Sequence, residues 1–218
     1  MSLAGRQTFG VDSLAIDDIP GNTSILLTSD DSDALEAVFY RLVAAPEDEQ
    51  SVVLATESSG RSTKRSLKNA IRGADDRSTM LTCEGPDRGE GVQSVAELGD
   101  LTRLGMDFSE LFAEAQQTEA PLRAGILLCS TIMGEVDDTR SVYRFLNSNF
   151  LSQLRRGKAL GVCAIDMSAD IGADIDSTVV GLETSFSARI DVESTGRKQA
   201  TLDVSGLGDN DGTIEVSW

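Results

Sequence analysis

Short apolar runs alternate along the chain with longer segments in which apolar residues recur every three or four positions. The runs have the length of buried strands, and the longer spacing is typical of amphipathic helices. Up to Ile165, strands are predicted at Ser24–Thr28, Ser51–Thr56, Ser78–Cys83, Ala124–Thr131 and Leu160–Ile165. Helices are predicted from Asp33, over Gly60–Arg72 and Leu101–Gln117, and from Asp137 or Asp138 to Gly157. This alternation indicates a mostly parallel sheet with helices on both faces.

The pattern changes to strict alternation near the C-terminus. Apolar residues occupy every second position around Ile190, Leu202 and Val216, which predicts antiparallel strands at one edge of the sheet. We therefore predict a three-layer α/β fold in one domain over residues 1–218. Residues 1–22 form its N-terminal lead-in, and residues 178–218 form its C-terminal edge strands and hairpins.

The segment from Ser24 to Val43 combines a strand, an acidic loop and an amphipathic helix. Asp33 with Glu36 three positions later matches a capping box, which predicts that the helix begins at Asp33. Nucleotide-binding α/β proteins carry their phosphate loop at such a strand-to-helix junction. The residues at this junction include neither Gly nor Lys; they are Thr28, Ser29, Asp30, Asp31, Ser32 and Asp33.

The charge balance is strongly acidic. The 218 residues include 36 acidic and 19 basic side chains, a formal net charge of −17, and no histidine. Such a surface repels itself at ordinary ionic strength, whereas charges are screened within about 3 Å at molar salt. The composition predicts a cytoplasmic protein of a salt-accumulating extreme halophile. The alternative, an ordinary acidic cytosolic protein, usually carries more Lys and some His.

Two residue types exclude whole classes of function. Without histidine there is neither a His-containing zinc site nor a Ser–His–Asp or Cys–His catalytic unit. Cys83, Cys129 and Cys163 are odd in number, widely spaced and placed in apolar runs, which favours buried reduced thiols over a disulfide or a metal site. No apolar run has the length of a membrane span, and the first eight residues lack a signal-peptide pattern, so we expect no membrane insertion.

Several loose motifs occur in a fixed order. Gly10–Leu14 and Ile19–Ile25 lead into the first buried strand, Glu57 follows the second, four apolar residues begin Ile126–Thr131, and Arg197 leads the last hairpin. This order resembles the RecA-like ATPase domains of the KaiC and RadA group over nearly the whole chain. The resemblance implies a P-loop NTPase-like fold, with Glu57 at the position of the family's glutamate and Cys129 at the position of the Walker B aspartate.

The chain departs from the family at the residues that perform its chemistry. A phosphate loop needs glycines whose N–H groups hold phosphates, a lysine on the β and γ oxygens, and a Ser or Thr on Mg²⁺. The loop here lacks the first two, and the Cys129 thiol is a poor partner for a hard cation. We therefore expect a degenerate member with no cofactor, no metal and no ATP binding. Glu57 is then a vestigial candidate base, or a solvated strand end.

One window breaks the acidic pattern. Between Ser58 and Ala74 there is no acid, but there are five bases: Arg61, Lys64, Arg65, Lys68 and Arg72. At helical spacing Arg61, Arg65, Lys68 and Arg72 share one face. This face is either an ordinary solvated helix with internal ion pairs or a docking site for an acidic partner, such as a second copy of the protein. Phosphate contacts are disfavoured, because counterion release contributes much less at molar salt.

These observations favour a non-catalytic RecA/KaiC-like module that acts as a regulatory or assembly protein through protein–protein contacts or self-association. One alternative is an atypical nucleotide-binding ATPase that uses the acidic loop with a metal. Another is a recombinase-like paralogue that contacts nucleic acid through the Arg61–Arg72 face, which the net charge disfavours.

The halophilic assignment predicts a salt-dependent fold. Below about 0.5 M KCl, where screening lengthens beyond a few Å, self-repulsion of the −17 charge should abolish the cooperative thermal transition. Thermal melts followed by circular dichroism across a KCl series measure this. A melting temperature that stays constant from about 0.1 to 3 M KCl would contradict the assignment.

Overall fold

The computed structural model describes residues 7–85 and 89–218. The strands in these ranges are β1 (Thr8–Val11), β2 (Ile16–Pro20), β3 (Ser24–Ser29), β4 (Gln50–Ser59), β5 (Ser78–Glu84), β6 (Val92–Ser94), β7 (Leu122–Leu127), β8 (Leu160–Asp166), β9 (Ala188–Gly196), β10 (Gln199–Ser205) and β11 (Gly212–Ser217). The helices are α1 (Ser32–Val43), α2 (Gly60–Ala70), α3 (Leu101–Gln116), α4 (Cys129–Gly134), α5 (Thr139–Phe145), α6 (Ser152–Gly157) and α7 (Ile175–Glu183). A π-helical segment, Leu146–Leu151, joins α5 to α6.

Strands β3 to β11 form one nine-stranded sheet in the order β11-β10-β9-β3-β8-β7-β4-β5-β6. Every neighbouring pair from β9 to β6 is parallel, whereas β10 pairs antiparallel with both β9 and β11. The predicted α/β fold with a mostly parallel sheet and antiparallel edge strands is confirmed. Its parallel strands all end at the same edge of the sheet, and loops at that edge lie close to one another.

Helices cover both faces of the sheet. On one face, α1 and α2 bury Leu35, Phe39 and Leu67 against the strands. On the other face, α3 and the helices from α4 to α7 bury a second cluster that includes Phe108 and Phe150. The predicted inner stripe of α3 is buried throughout: Leu104, Phe108, Leu111, Phe112 and Ala115. The alternating apolar positions of β9 and β10 likewise face the first cluster.

Both ends of the chain contain more structure than the pattern predicted. Within the predicted lead-in, whose residues 1–6 lie outside the described ranges, β1 and β2 form an antiparallel hairpin. The segment 178–218 is not composed of edge strands alone, since α7 extends to Glu183 and β9 pairs in parallel with β3. The β1–β2 hairpin and α7 were not predicted, because short elements with few apolar residues give little periodic signal.

Two predicted boundaries are wrong. The strand predicted as Ala124–Thr131 ends at Leu127, because Leu128 adopts a left-handed conformation with φ of 57° and Cys129 begins α4. The helix predicted over Gly60–Arg72 ends at Ala70, since Ile71 has the extended φ of −140°. Arg72 therefore lies beyond the helix and does not share its face.

A buried arginine, Arg123 of β7, connects several elements at the amino end of the sheet. Its side chain is 1% exposed and pairs with Glu49, with 2.5 Å between Arg123 Nε and the nearer carboxylate oxygen. It also donates to the carbonyl oxygens of Leu42 and Gly10, each at 2.8 Å, and lies over the ring of Phe9. This arginine thus fixes the end of α1, the loop before β4 and the N-terminal hairpin.

We predict that Arg123→Met lowers the free energy of unfolding by about 3 kcal/mol, because removing one partner of a buried ion pair leaves the other uncompensated. Glu49 is left without its partner, and its side chain is only 14% exposed. Adding Glu49→Met should recover part of the loss, since the remaining deficit is the two unpaired carbonyl groups.

Denaturant unfolding of the wild type, both single variants and the double variant measures these changes in the free energy of unfolding. The matched control is Arg103→Met: this arginine is 69% exposed, so solvent screens its pair with Asp107, and the substitution should cost less than about 1 kcal/mol. An Arg123→Met cost no greater than the control would contradict the anchoring role.

Candidate functional site

The candidate site lies where β3 ends and α1 begins, at the carboxyl edge of the parallel strands. Only Asp30 and Asp31 separate Ser29, the last residue of β3, from Ser32, the first residue of α1. Asp30 is exposed, and Ser29 is buried. The junction is therefore a direct strand-to-helix turn with no loop that could encircle a ligand.

Asp31 caps helix α1. Its carboxylate accepts a hydrogen bond of 2.9 Å from the Ala34 N–H, so the helix begins one residue before the predicted start at Asp33. This bond, together with one from Ser194, lowers the pKa of Asp31 below its ordinary value of 3.8. On the next turn, burial raises the pKa of Glu36, with smaller contributions from the charges of Asp33 and Glu57. The predicted capping box at Asp33 is wrong, because Asp31 caps the helix and Asp33 lies inside it.

The hydroxyl groups of the junction are occupied by the protein itself. Thr28 donates to Asp191 of β9, and Ser29 donates to the Val192 carbonyl oxygen at 2.8 Å. Ser29 also accepts a hydrogen bond of 3.1 Å from the Asp31 N–H. Both Thr28 and Ser29 are buried, so these bonds fix the junction to β9.

Asp166, a residue that the sequence analysis missed, completes the junction. It ends β8, the neighbour of β3, and accepts a hydrogen bond of 2.5 Å from the Ser32 hydroxyl. Its other oxygen accepts from the Ser168 N–H at 2.8 Å and from the Ser168 hydroxyl at 2.6 Å. An aspartate directly after the apolar run Leu160–Ile165 was the signal available in the sequence, since parallel strands end at one edge.

The structure places Glu57 and Cys129 in different environments. Glu57 is exposed near the end of β4 and accepts a hydrogen bond of 2.5 Å from the Thr131 hydroxyl. Cys129 is fully buried in α4 and lies outside the strand that was predicted to carry it. A hydrogen bond with Cys129, together with the burial of Cys163, raises the pKa of the Cys163 thiol. Cys83 is partly exposed, so the expectation of a buried thiol holds only for the other two cysteines.

A cavity of about 500 Å³ opens beside the junction, between β3, β9 and β10. Its charged lining is mostly acidic and includes Asp30, Asp31, Asp191, Glu193 and Asp203. Arg189, also in the lining, is already paired: it lies 2.8 Å from Asp191 and 3.0 Å from Glu183. The hydrogen bond to Asp191 raises the pKa of Arg189. The cavity therefore has a negative net charge.

The basic window forms a single exposed surface on α2, which we call the basic helix face and define as Arg61, Lys64, Arg65 and Lys68. Lys64 donates to the Glu90 carbonyl oxygen at 2.6 Å, and Lys68 lies 3.8 Å from Asp75. Arg61 and Arg65 are exposed, and neither has an ion pair with another residue of the described ranges. Lys64 and Lys68 thus have partners within the protein, whereas Arg61 and Arg65 remain exposed to solvent.

Two further features bear on the type of site. Within residues 7–85 and 89–218, no three His, Cys, Asp or Glu side chains converge as metal ligands. In the same ranges, no helix has both the length and the apolar character needed to cross a membrane.

The fold is that of a KaiC-like, RecA-like α/β protein. The structure is similar to a KaiC-like protein, PH0186, from Pyrococcus horikoshii OT3, with a TM-score of 0.62 and 10% identity over 98% of this chain and 99% of that one. PH0250 from the same archaeon gives a TM-score of 0.58 with 14% identity over 89% and 91% of the two chains. PH0321, solved with an unknown peptide, gives 0.56 with 12% identity over 85% and 84%.

The chain belongs to a family of unknown function, DUF7504, whose model matches residues 22–192. No curated protein matches the sequence. The structural likenesses above, all at low identity, define the fold alone.

We predict that Asp31→Ala lowers the free energy of unfolding by about 1 kcal/mol, the usual contribution of an N-cap, while Asp31→Asn retains most of it. The pKa of Asp31 is lowered in the folded state, so its charged form stabilises the protein at neutral pH. That contribution is fully present above the ordinary value of 3.8 and is lost as pH falls through the lowered folded pKa.

Unfolding titrations at neutral pH and at successively lower pH should therefore show the difference between wild type and Asp31→Ala shrinking in acid. Asp33→Ala is the matched control, because Asp33 lies one residue inside α1 and makes no capping bond. Equal costs for the two alanine variants would show that the cap is not at Asp31.

Proposed function

We propose that the protein is a non-catalytic RecA/KaiC-like module that acts as a regulatory or assembly protein through protein–protein contacts. The observation that carries this proposal is the two-residue connection, Asp30 and Asp31, in the place of a phosphate-binding loop. A Walker A loop inserts several residues there, with glycines that hold phosphates and a lysine that reaches the terminal ones. Two aspartates supply none of these groups.

The electrostatics of the junction also oppose phosphate binding. A carboxylate about 4 Å from a phosphate charge costs roughly 1 kcal/mol in water and about 4 kcal/mol at an intermediate dielectric. Asp31 moreover occupies the Ala34 N–H at the start of α1, one of the donors that would otherwise attract an anion. Salt weakens the repulsion but supplies neither the lysine nor the glycine-built nest.

Protein contact is supported by the basic helix face. Its four like charges lie three or four positions apart, and such spacing destabilises a helix by a few tenths of a kcal/mol per pair. Arg61 and Arg65 have no compensating partner within the described residues, although acids outnumber bases by 36 to 19 in the chain. An acidic protein surface docked on this helix would offset the repulsion. Arg72, exposed beyond the helix end, adds to the charge of the region.

Two alternatives follow from the same residues. An atypical ATPase would use the acidic junction with a metal and Glu57 as the base, because Glu57 is exposed and held by Thr131. A recombinase-like paralogue would bind nucleic acid through the basic helix face, against a net charge of −17. The proposal also includes a cytoplasmic location at high salt and a single domain over residues 1–218.

We predict that the protein does not bind nucleotides. In multimolar KCl with Mg²⁺, calorimetry should detect no ATP, ADP or GTP binding tighter than about 1 mM, an affinity worth roughly 4 kcal/mol. Micromolar binding, or a nucleotide turnover that disappears in Glu57→Gln but persists in the surface control Glu110→Gln, would favour the ATPase alternative.

We predict that the basic helix face is required for binding a protein partner. Arg61→Glu with Arg65→Glu and Lys68→Glu should leave the circular dichroism spectrum unchanged and abolish co-purification of protein partners from native cytosol at high KCl. Charges at the rim of an interface mainly alter association rates, whereas removing one partner of a desolvated charge pair costs roughly 2–5 kcal/mol. If the triple variant no longer binds a protein partner, these three residues lie within the contact. Arg155→Glu with Arg156→Glu, exposed at the end of α6, is the control. A triple variant that folds and keeps every partner would remove the docking role.

A further inference from the structure

Strands β9, β10 and β11 carry a cluster of carboxylates on one side of the sheet. Asp203 of β10 lies directly opposite Asp191 of β9. In the adjacent row, Thr201 of β10 lies between Glu193 of β9 and Glu215 of β11. We call Asp191, Glu193, Asp203 and Glu215 the acidic sheet face. Since the alternate residues of these strands are buried in the core on the opposite side, all four carboxylates point the same way.

The acidic sheet face repels itself. Like charges directly opposite each other on neighbouring strands destabilise a sheet, and Asp191 and Asp203 form such a pair. Arg189 compensates Asp191. Glu193, Asp203 and Glu215 are exposed, and none has an ion pair within the described residues. A cationic surface placed over these strands would relieve the repulsion.

The basic helix face of the same molecule cannot be that surface. Helix α2 buries Leu67 in the core cluster that also contains Ile190 and Leu202, so α2 lies on the side opposite the carboxylates. It packs near β4 and β5, which are four to six strands from β9 and β10 in the sheet order.

We propose that the acidic sheet face binds the basic helix face of a second copy of this chain. The spacing of the charges is compatible with direct pairing. Helix residues four apart, such as Arg61 and Arg65, are separated by about 6 Å along the axis. The unpaired carboxylates Glu193 and Asp203 are offset by two residues and one strand, about 6.8 Å along the strands and about 4.8 Å across them. Each arginine can therefore reach its own carboxylate when α2 lies along the strands.

The proposed contact is head-to-tail. The two faces are different surfaces on opposite sides of one sheet, so two copies cannot satisfy both contacts reciprocally. Each copy instead uses its helix on one neighbour and its sheet on another, which builds a closed ring or an open filament. This inference rests on the proposed function and names the partner of the same helix face.

Complementary charge reversal tests the contact. Sedimentation velocity over a concentration series should show self-association of the wild type that weakens as KCl rises. Arg61→Glu with Arg65→Glu, and separately Glu193→Lys with Glu215→Lys, should each raise the apparent dissociation constant by at least about tenfold. An equimolar mixture of the two variants should associate again, because each reversed surface then meets its complement. Glu193 and Glu215 are suitable because both are exposed and neither has an ion pair within the described residues.

Controls with the same charge changes are available elsewhere on the surface. Glu110→Lys with Glu119→Lys, in and just after α3, and Arg155→Glu with Arg156→Glu on α6, alter exposed residues that belong to neither face. The proposal is overturned if the wild type stays monomeric, if the controls weaken association equally, or if the mixture does not recover. A monomeric wild type whose helix variant still loses a cytosolic partner would overturn this contact and leave the proposed function standing.

Discussion

The fold depends on the burial of one charge that cannot be neutralised. A guanidinium stays protonated in proteins, so burying Arg123 requires acceptors for its donors. Those acceptors come from Glu49, from the last turn of α1 and from β1, which lie 74, 81 and 113 residues before Arg123 in the sequence. The arginine thereby holds the N-terminal hairpin on the amino edge of the sheet and fixes one end of α1. With that end fixed, a helix of about 18 Å delivers its other end to the carboxyl edge.

At the junction of β3 and α1 on the carboxyl edge, the hydroxyl groups are satisfied within the protein. Thr28 and Ser29 bond to β9, Ser32 bonds to Asp166, and Asp31 caps the helix. In a phosphate-binding junction, hydroxyl and amide donors of this kind are held ready for a ligand. Here an incoming phosphate would have to displace bonds that already exist, and it would meet carboxylates. The connection is rigid because its donors and acceptors are matched without a ligand.

The sequence predicted what depends on local periodicity and missed what depends on distant partners. Buried strands and the stripe of α3 follow from apolar spacing, and the two C-terminal edge strands follow from period two, so these predictions are confirmed. The helix cap was misplaced by two residues because both Asp31 and Asp33 fit the local signature. Arg123 and Asp166 were missed because their partners lie more than 70 residues away in the chain. Leu128 ended β7 early through a left-handed conformation that its side chain does not signal.

Distance in space governs how the charged surfaces act. At the molar salt that the composition predicts, screening removes interactions beyond about 3 Å, so net charge can neither attract nor repel a partner at a distance. Only charges in direct contact retain their effect, and bidentate arginine–carboxylate pairs are the strongest of these. The decisive property of each surface is then the spacing of its charges rather than their number. The register of β9 to β11 fixes that spacing on one side of the sheet, and the pitch of α2 fixes it on the other.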